Sequence, residues 1–157
     1  MTGFALIYAP LDSSGTGRGE ERAPQALWEA GLLDAVPVDS VGDTRALIRD
    51  SRRDPETGVI GVGDLRRAGE AVAAAVSGAL ASGWPPLVIG GDCSILLGIF
   101  AALPGDAALW FVDGHADFLD DATSPSGEAA DMELGMLTGH APGVPFTAEA
   151  PRLRPRP

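Results

Sequence analysis

The chain contains no lysine and no asparagine, and its 11 basic residues are all arginine. That bias reads as the codon usage of a GC-rich bacterial genome and carries no functional message. A single cysteine, Cys93, excludes an internal disulfide, so no covalent staple holds the fold. No apolar run approaches the roughly 20 residues that a membrane-spanning helix needs. The longest, Ile95 to Leu103, has nine residues and includes a glycine. The apolar patch at residues 4–9 has no basic residue before it and so lacks the form of a signal peptide; the chain is read as cytoplasmic. Between Ala68 and Pro151 there is no arginine or lysine, against 11 acidic residues. Such a stretch repels nucleic acid and anionic membrane and suits cations. Most of these carboxylates read as a solvated face. Those in apolar surroundings need a different account.

With 157 residues the chain has room for one domain with its own core, and 45% apolar against 21% charged residues excludes global disorder. The run Phe4-Ala-Leu-Ile-Tyr-Ala9 has the form of a strand buried on both faces. Residues 11–19, rich in Gly and Ser, read as a loop. A helix is predicted from Pro24 to Gly31, and Ala35 to Val38 is a weak strand demoted by its proline. Residues 50–58 are polar loop. Asp64 is predicted to cap a long helix ending at Gly83, with Leu65, Ala68, Val72, Ala75, Val76, Ala79 and Leu80 on its buried stripe. A strand over 86–89, a Gly90-Gly91 turn and a helix over 94–103 follow. Ala107 to Val112 is the clearest buried strand by composition, and 132–137 suit a short helix. Alternating short strands and helices define an α/β fold with a mainly parallel sheet flanked by helices.

Ligands bind such sheets outside the carboxyl ends of the strands. Two strand ends carry polar residues: Gly90-Gly-Asp-Cys-Ser94 and Asp113-Gly-His-Ala-Asp117. In the second, period 2 points Asp113, His115 and Asp117 to one side while the chain stays extended. Two carboxylates and an imidazole suit a hard or borderline divalent cation. In the first, Asp92 and Ser94 also read as ordinary helix caps.

The pair G-G-D-C-S and D-x-H-x-D, each closing a buried strand, resembles the arginase/agmatinase family, the ureohydrolases. Gly19-Glu20, Ala23-Pro24, Leu27 and Gly31 are similar to that family's N-terminal segment. The resemblance spans about residues 4–139 and covers the first half of such an enzyme. It implies an arginase-like three-layer fold and two Mn²⁺ sharing a hydroxide that attacks a guanidino or formimino carbon. By resemblance Asp113 bridges both metals, His115 binds one and Asp117 the other, with Asp113 and His115 the catalytic pair. Asp92 becomes a supporting acid. Ser126 and Glu128 fall in the loop that binds substrate. The implied partners are a small guanidino or formimino compound and further copies of the chain.

Several positions depart from that pattern. Cys93 stands where the family has His; it is either a soft ligand favouring Zn²⁺ or Fe²⁺, or simply a small buried residue. Glu128 replaces an Asn and Ala130 a His of the loop S-G-N-x-H-G, which argues against L-arginine as substrate. The second metal motif, S-x-D-x-D-x-x-D-P, has no counterpart; Asp131-Met-Glu133 is a poor match. In the family, strands from the second half lie between the third and fourth strands, so the sheet is expected to be incomplete. Residues 1–140 are read as the N-terminal half of a ureohydrolase-like domain. Residues 141–157, with five prolines and three arginines, are read as a disordered tail of a truncated or frameshifted frame. The expected function is a metal-dependent C–N hydrolase, weakly active or inactive alone. The alternatives are a non-catalytic metal- or partner-binding half-domain and, against the spacing, a thiol hydrolase using Cys93 and His115.

Overall fold

The computed structural model describes residues 3–141 and Leu153. Its centre is a parallel sheet of β1 (Phe4–Ala9), β2 (Val38–Asp43) and β3 (Pro86–Gly90) in the order β2-β1-β3. Ala5 to Ala9 pair in register with Pro86 to Gly90, so β1 and β3 end level with each other. The pleat sends Ala5, Ile7 and Ala9 into one core and turns Leu6 and Tyr8 to the opposite face.

The first face is covered by α3 (Val62–Ala81) and α4 (Ile95–Ala102). The expected stripe of α3 is buried at Leu65, Ala68, Val72, Val76 and Ala79, whereas Leu80 is largely exposed. Each fully buried aliphatic side chain of this kind contributes about 1.5–3 kcal/mol. The two helices approach closely because α4 has no side chain at Gly98; a Cβ there would lie 2.7 Å from both the Gly69 carbonyl and Val72. On the second face, Trp28 of α1 (Ala23–Glu29) stacks edge-on against Tyr8, with ring centroids 5.7 Å apart. Helices on both faces of a parallel sheet make the arrangement three-layered.

Four local expectations need correction. Asp64 is not the cap of α3: Gly61 takes that position with a left-handed φ of 56°, and Asp64 sits one turn in. Its carboxylate accepts the N–H groups of Arg49 (2.8 Å) and Asp50 (3.0 Å), tying the preceding loop to the helix. The chain over 35–38 is not a strand. Ala35 closes α2 (Leu32–Ala35), Pro37 offers only its carbonyl, which accepts from Phe4 N–H at 2.9 Å, and β2 begins at Val38. β2 itself was not foreseen, because an exposed edge strand of sequence VDSVGD carries no apolar run.

The largest correction concerns Ala107 to Val112. The segment has no strand partner among the described residues, and Trp110 and Val112 are 90% and 85% exposed. Its apolar composition is that of a strand, but a strand exists only through a neighbour's backbone. The free edge of β3 does not meet it. Beyond it, α5 (Glu133–Thr138) forms where a short helix was expected. The disordered tail read over 141–157 lies outside the described residues apart from Ala141 and Leu153. Among the described residues no helix is long and apolar enough to cross a membrane.

Candidate metal centre

The site is assembled at the carboxyl end of β3. Gly91 turns so close to the preceding loop that a Cβ would overlap the Leu11 carbonyl. This close approach lets Asp92 accept the Ser13 N–H at 2.5 Å while its other oxygen accepts from Ser94 N–H at 3.0 Å and the Ser94 hydroxyl. Asp92 is thus committed to holding the loop after β1 onto the start of α4. It leaves Cys93 as the residue of this turn that faces Asp113.

The Cys93 thiol donates to Asp113 Oδ2 at 3.6 Å. Cys93, Asp113 and Asp117 each present a donor atom within 4.8 Å of the other two. Extended geometry does not bring them together. The chain bends at Gly114 and His115, and Asp117 adopts a left-handed φ of 45°, which turns its carboxylate back towards Cys93. The same bend removes His115 from the group. Its side chain is 87% exposed, with Nδ1 3.3 Å from Asp113 Oδ1, and its backbone N–H donates to that oxygen at 2.9 Å. That N–H is the main cause of an Asp113 carboxyl held below the usual aspartate range. The expected convergence of Asp113, His115 and Asp117 is therefore replaced by that of Cys93, Asp113 and Asp117.

One residue of the site was missed. Glu133, the first residue of α5, is 0% exposed, and neither of its carboxylate oxygens has a hydrogen-bond partner among the described residues. Burial, reinforced by the charges of Asp117 and Asp92, pushes its carboxyl up to about 9. Burial and the charges of Glu133 and Asp117 likewise push the Cys93 thiol up to about 12. The sequence signal was slight: Glu133 stands among Met132, Leu134, Met136 and Leu137, in a stretch too short to show its face.

A cleft of about 560 Å³ adjoins this cluster, with His115, Asp117, Ser126, Glu128 and Asp131 in its wall. Ser126 is fixed by donating to Asp131 Oδ2 at 2.7 Å. Glu128 receives two hydrogen bonds from the Arg18 guanidinium, at 3.0 and 2.6 Å. Ser126 and Glu128 thus share the cleft wall with His115 and Asp117. The thiol beside two carboxylates, with an orphaned buried carboxylate behind them, fits a divalent cation.

The cluster of thiol and acid donors thus lies beyond the carboxyl end of β3 in a three-layer parallel α/β fold. Residues 2–141 match the family model described as Arginase family. The arginase of Bacillus caldovelox is 30% identical, over 99% of this chain and 56% of its own. Arginase-1 of Oryctolagus cuniculus is 31% identical, over 90% of this chain and 48% of its own. The solved structure of the B. caldovelox enzyme superposes with a TM-score of 0.78 at 28% identity, covering 99% of this chain and 56% of that one. The chain belongs to the arginase family. It spans about half the length of the curated relatives it matches.

Proposed function

We propose that this chain carries the metal- and substrate-facing residues of a hydrolase acting on the C–N bond of a small guanidino or formimino compound. The observation that supports this reading best is the convergence of Cys93, Asp113 and Asp117 beside the cleft holding Ser126 and Glu128. Those three residues would hold the cation: manganese by family resemblance, with Zn²⁺ or Fe²⁺ admitted by the thiol. When bound, the ion supplies Lewis-acid activation of water and of the amidine carbon.

The side chains do the rest. The His115 ring stands with Nδ1 3.3 Å from Asp113 Oδ1, which would leave Nε2 to take or return a proton at the edge of the cleft. Glu128 offers a planar carboxylate to a guanidinium, which must displace the guanidinium of Arg18 to reach it. Ala130, where the family has His, favours a substrate other than L-arginine. Assembly into a homo-oligomer belongs to the same proposal and is read by light scattering.

The three donors suffice for one cation rather than the pair that the family's reaction uses, so slow turnover is expected. The same shortfall favours the second reading, a non-catalytic metal-binding half-domain. A thiol hydrolase is disfavoured, because Cys93 faces Asp113 rather than His115. The test is urea or ammonia release from arginine, agmatine and guanidinobutyrate with added Mn²⁺ or Zn²⁺. Slow, metal-dependent release that Asp117→Asn abolishes supports the hydrolase. Cation binding with no release from any of these compounds supports the second reading.

A further inference from the structure

We infer that Glu133 is a fourth protein donor to the cation held by Cys93, Asp113 and Asp117, which makes the centre a thiol–carboxylate site with His115 outside it. This rests on the metal-centre reading above. The carboxylate of Glu133 is fully buried and both of its oxygens lack a hydrogen-bond partner among the described residues. An ionised acid in that position is strongly disfavoured until a proton or a cation joins it.

The backbone shows which side it approaches from. Leu134 N–H donates to the Asp117 carbonyl at 3.1 Å, and Leu119 N–H donates to the Asp131 carbonyl at 3.1 Å. Residues 117–119 and 131–134 are therefore laced together, and the start of α5 is held against Asp117. The lacing is tight, because a Cβ on Gly135 would lie 2.7 Å from the Leu119 carbonyl. Glu133 thus stands on the Asp117 side of the cluster, while the ring of His115 is exposed to solvent.

Among the described residues no arginine or histidine pairs with this group. From Ala68 to Pro151 the chain has no arginine or lysine, and Arg18 is engaged by Glu128. A thiol and three carboxylates of one sign, one of them sealed from water, match a divalent cation of borderline character, Zn²⁺ or Fe²⁺ ahead of Mn²⁺. The glutamate also supplies a hard oxygen donor in a centre where a thiol occupies the position of a histidine.

The experiment is titration of the full 157-residue chain with Co²⁺ and Zn²⁺, read by calorimetry and by the visible absorption of bound Co²⁺. The proteins are wild type, Asp117→Asn, Glu133→Gln and Glu133→Asp, each first checked for folding by circular dichroism. Glu133→Gln is expected to weaken Co²⁺ binding about tenfold or more and to alter the d–d bands while keeping the sulfur-to-cobalt band. Glu133→Asp, a shorter carboxylate, should bind between the two and serves if the glutamine variant does not fold. Affinity and spectrum unchanged in the Glu133 variants, with binding lost in Asp117→Asn, overturns the role of Glu133 and leaves the metal centre standing. Wild type that binds none of Co²⁺, Zn²⁺ or Mn²⁺ overturns both.

Discussion

The thiol of Cys93 lies 3.6 Å from Oδ2 of Asp113, although the residues are 20 positions apart and follow different segments of the chain. One stands at the end of β3, the other at the end of a stretch with no strand partner. Their meeting depends on the close turn at Gly91 and on the bend at Gly114 and His115, not on a shared sheet edge. A cation drawn to this pair would therefore also tie the 107–117 segment to the sheet.

Metal binding should stabilise the fold measurably. At a free Zn²⁺ concentration a hundred times Kd, linkage adds about 2.7 kcal/mol. For a domain of this size that is a rise of roughly 5–11 °C in Tm. Melts with Zn²⁺ and with EDTA give the comparison. Asp117→Asn should melt at one temperature in both.

Replacing Cys93 by histidine should turn metal preference from Zn²⁺ towards Mn²⁺, because imidazole is a harder donor than thiolate. Metal analysis after equilibration with equal amounts of both ions reads the change. An unaltered ratio would place Cys93 outside the donor set.

The Arg18–Glu128 pair predicts an effect of opposite sign on stability and on ligand binding. Arg18 is half exposed, so Arg18→Ala should cost no more than about 1 kcal/mol. It frees a carboxylate in the cleft wall, and agmatine or guanidinobutyrate should bind more tightly than to wild type. Calorimetric titration of both proteins with each compound is the measurement.

Asp12 sets an acid limit on stability. Burial opposes its charge, yet the Ser14 hydroxyl and the N–H groups of Arg18, Ser14 and Gly17 hold its carboxyl below the usual aspartate range. The direct bonds are from the Ser14 hydroxyl at 2.5 Å and from Ser14 N–H and Arg18 N–H, both at 2.9 Å. A folded-state pKa below the unfolded one gives stability that is present above about pH 4 and is lost as pH falls through the folded value. Asp12→Asn should lower stability at neutral pH by about 1–3 kcal/mol and flatten its fall below pH 4. Urea titrations at pH 7 and pH 3 test both parts.

Trp110 and Val112 should drive self-association. Both project from an unpaired extended segment, the kind of surface that templates further pairing. The double variant Trp110→Glu, Val112→Glu should stay monodisperse in light scattering at concentrations where wild type aggregates. Its melting temperature should be unchanged, since neither side chain is buried.

The elements legible in the sequence are those whose signal is local. β1 and β3 are short continuous apolar runs, α3 repeats its apolar residues at helical spacing, and α4 follows a double-glycine turn. Cys93 and Asp113 stood out because polar residues directly follow apolar runs there, although only the run before Cys93 is a strand. β2 was not, because an edge strand with one partner can be almost wholly polar. His115 misled because period 2 holds only while the chain remains extended, and it bends there.

The sequence by itself determined the α/β class, the parallel sheet, the anionic character of one long stretch and the residue types at the strand ends. Each follows from side-chain spacing or from composition, which neighbours in space cannot change. Only the tertiary structure decided that Ala107 to Val112 lies unpaired, that Arg18 occupies Glu128, and that Glu133 is sealed beside Asp117. Those outcomes depend on which backbone groups find partners far along the chain. A glutamate reads as a surface residue until the N–H of Leu134, bonded to the carbonyl of Asp117, draws it inside.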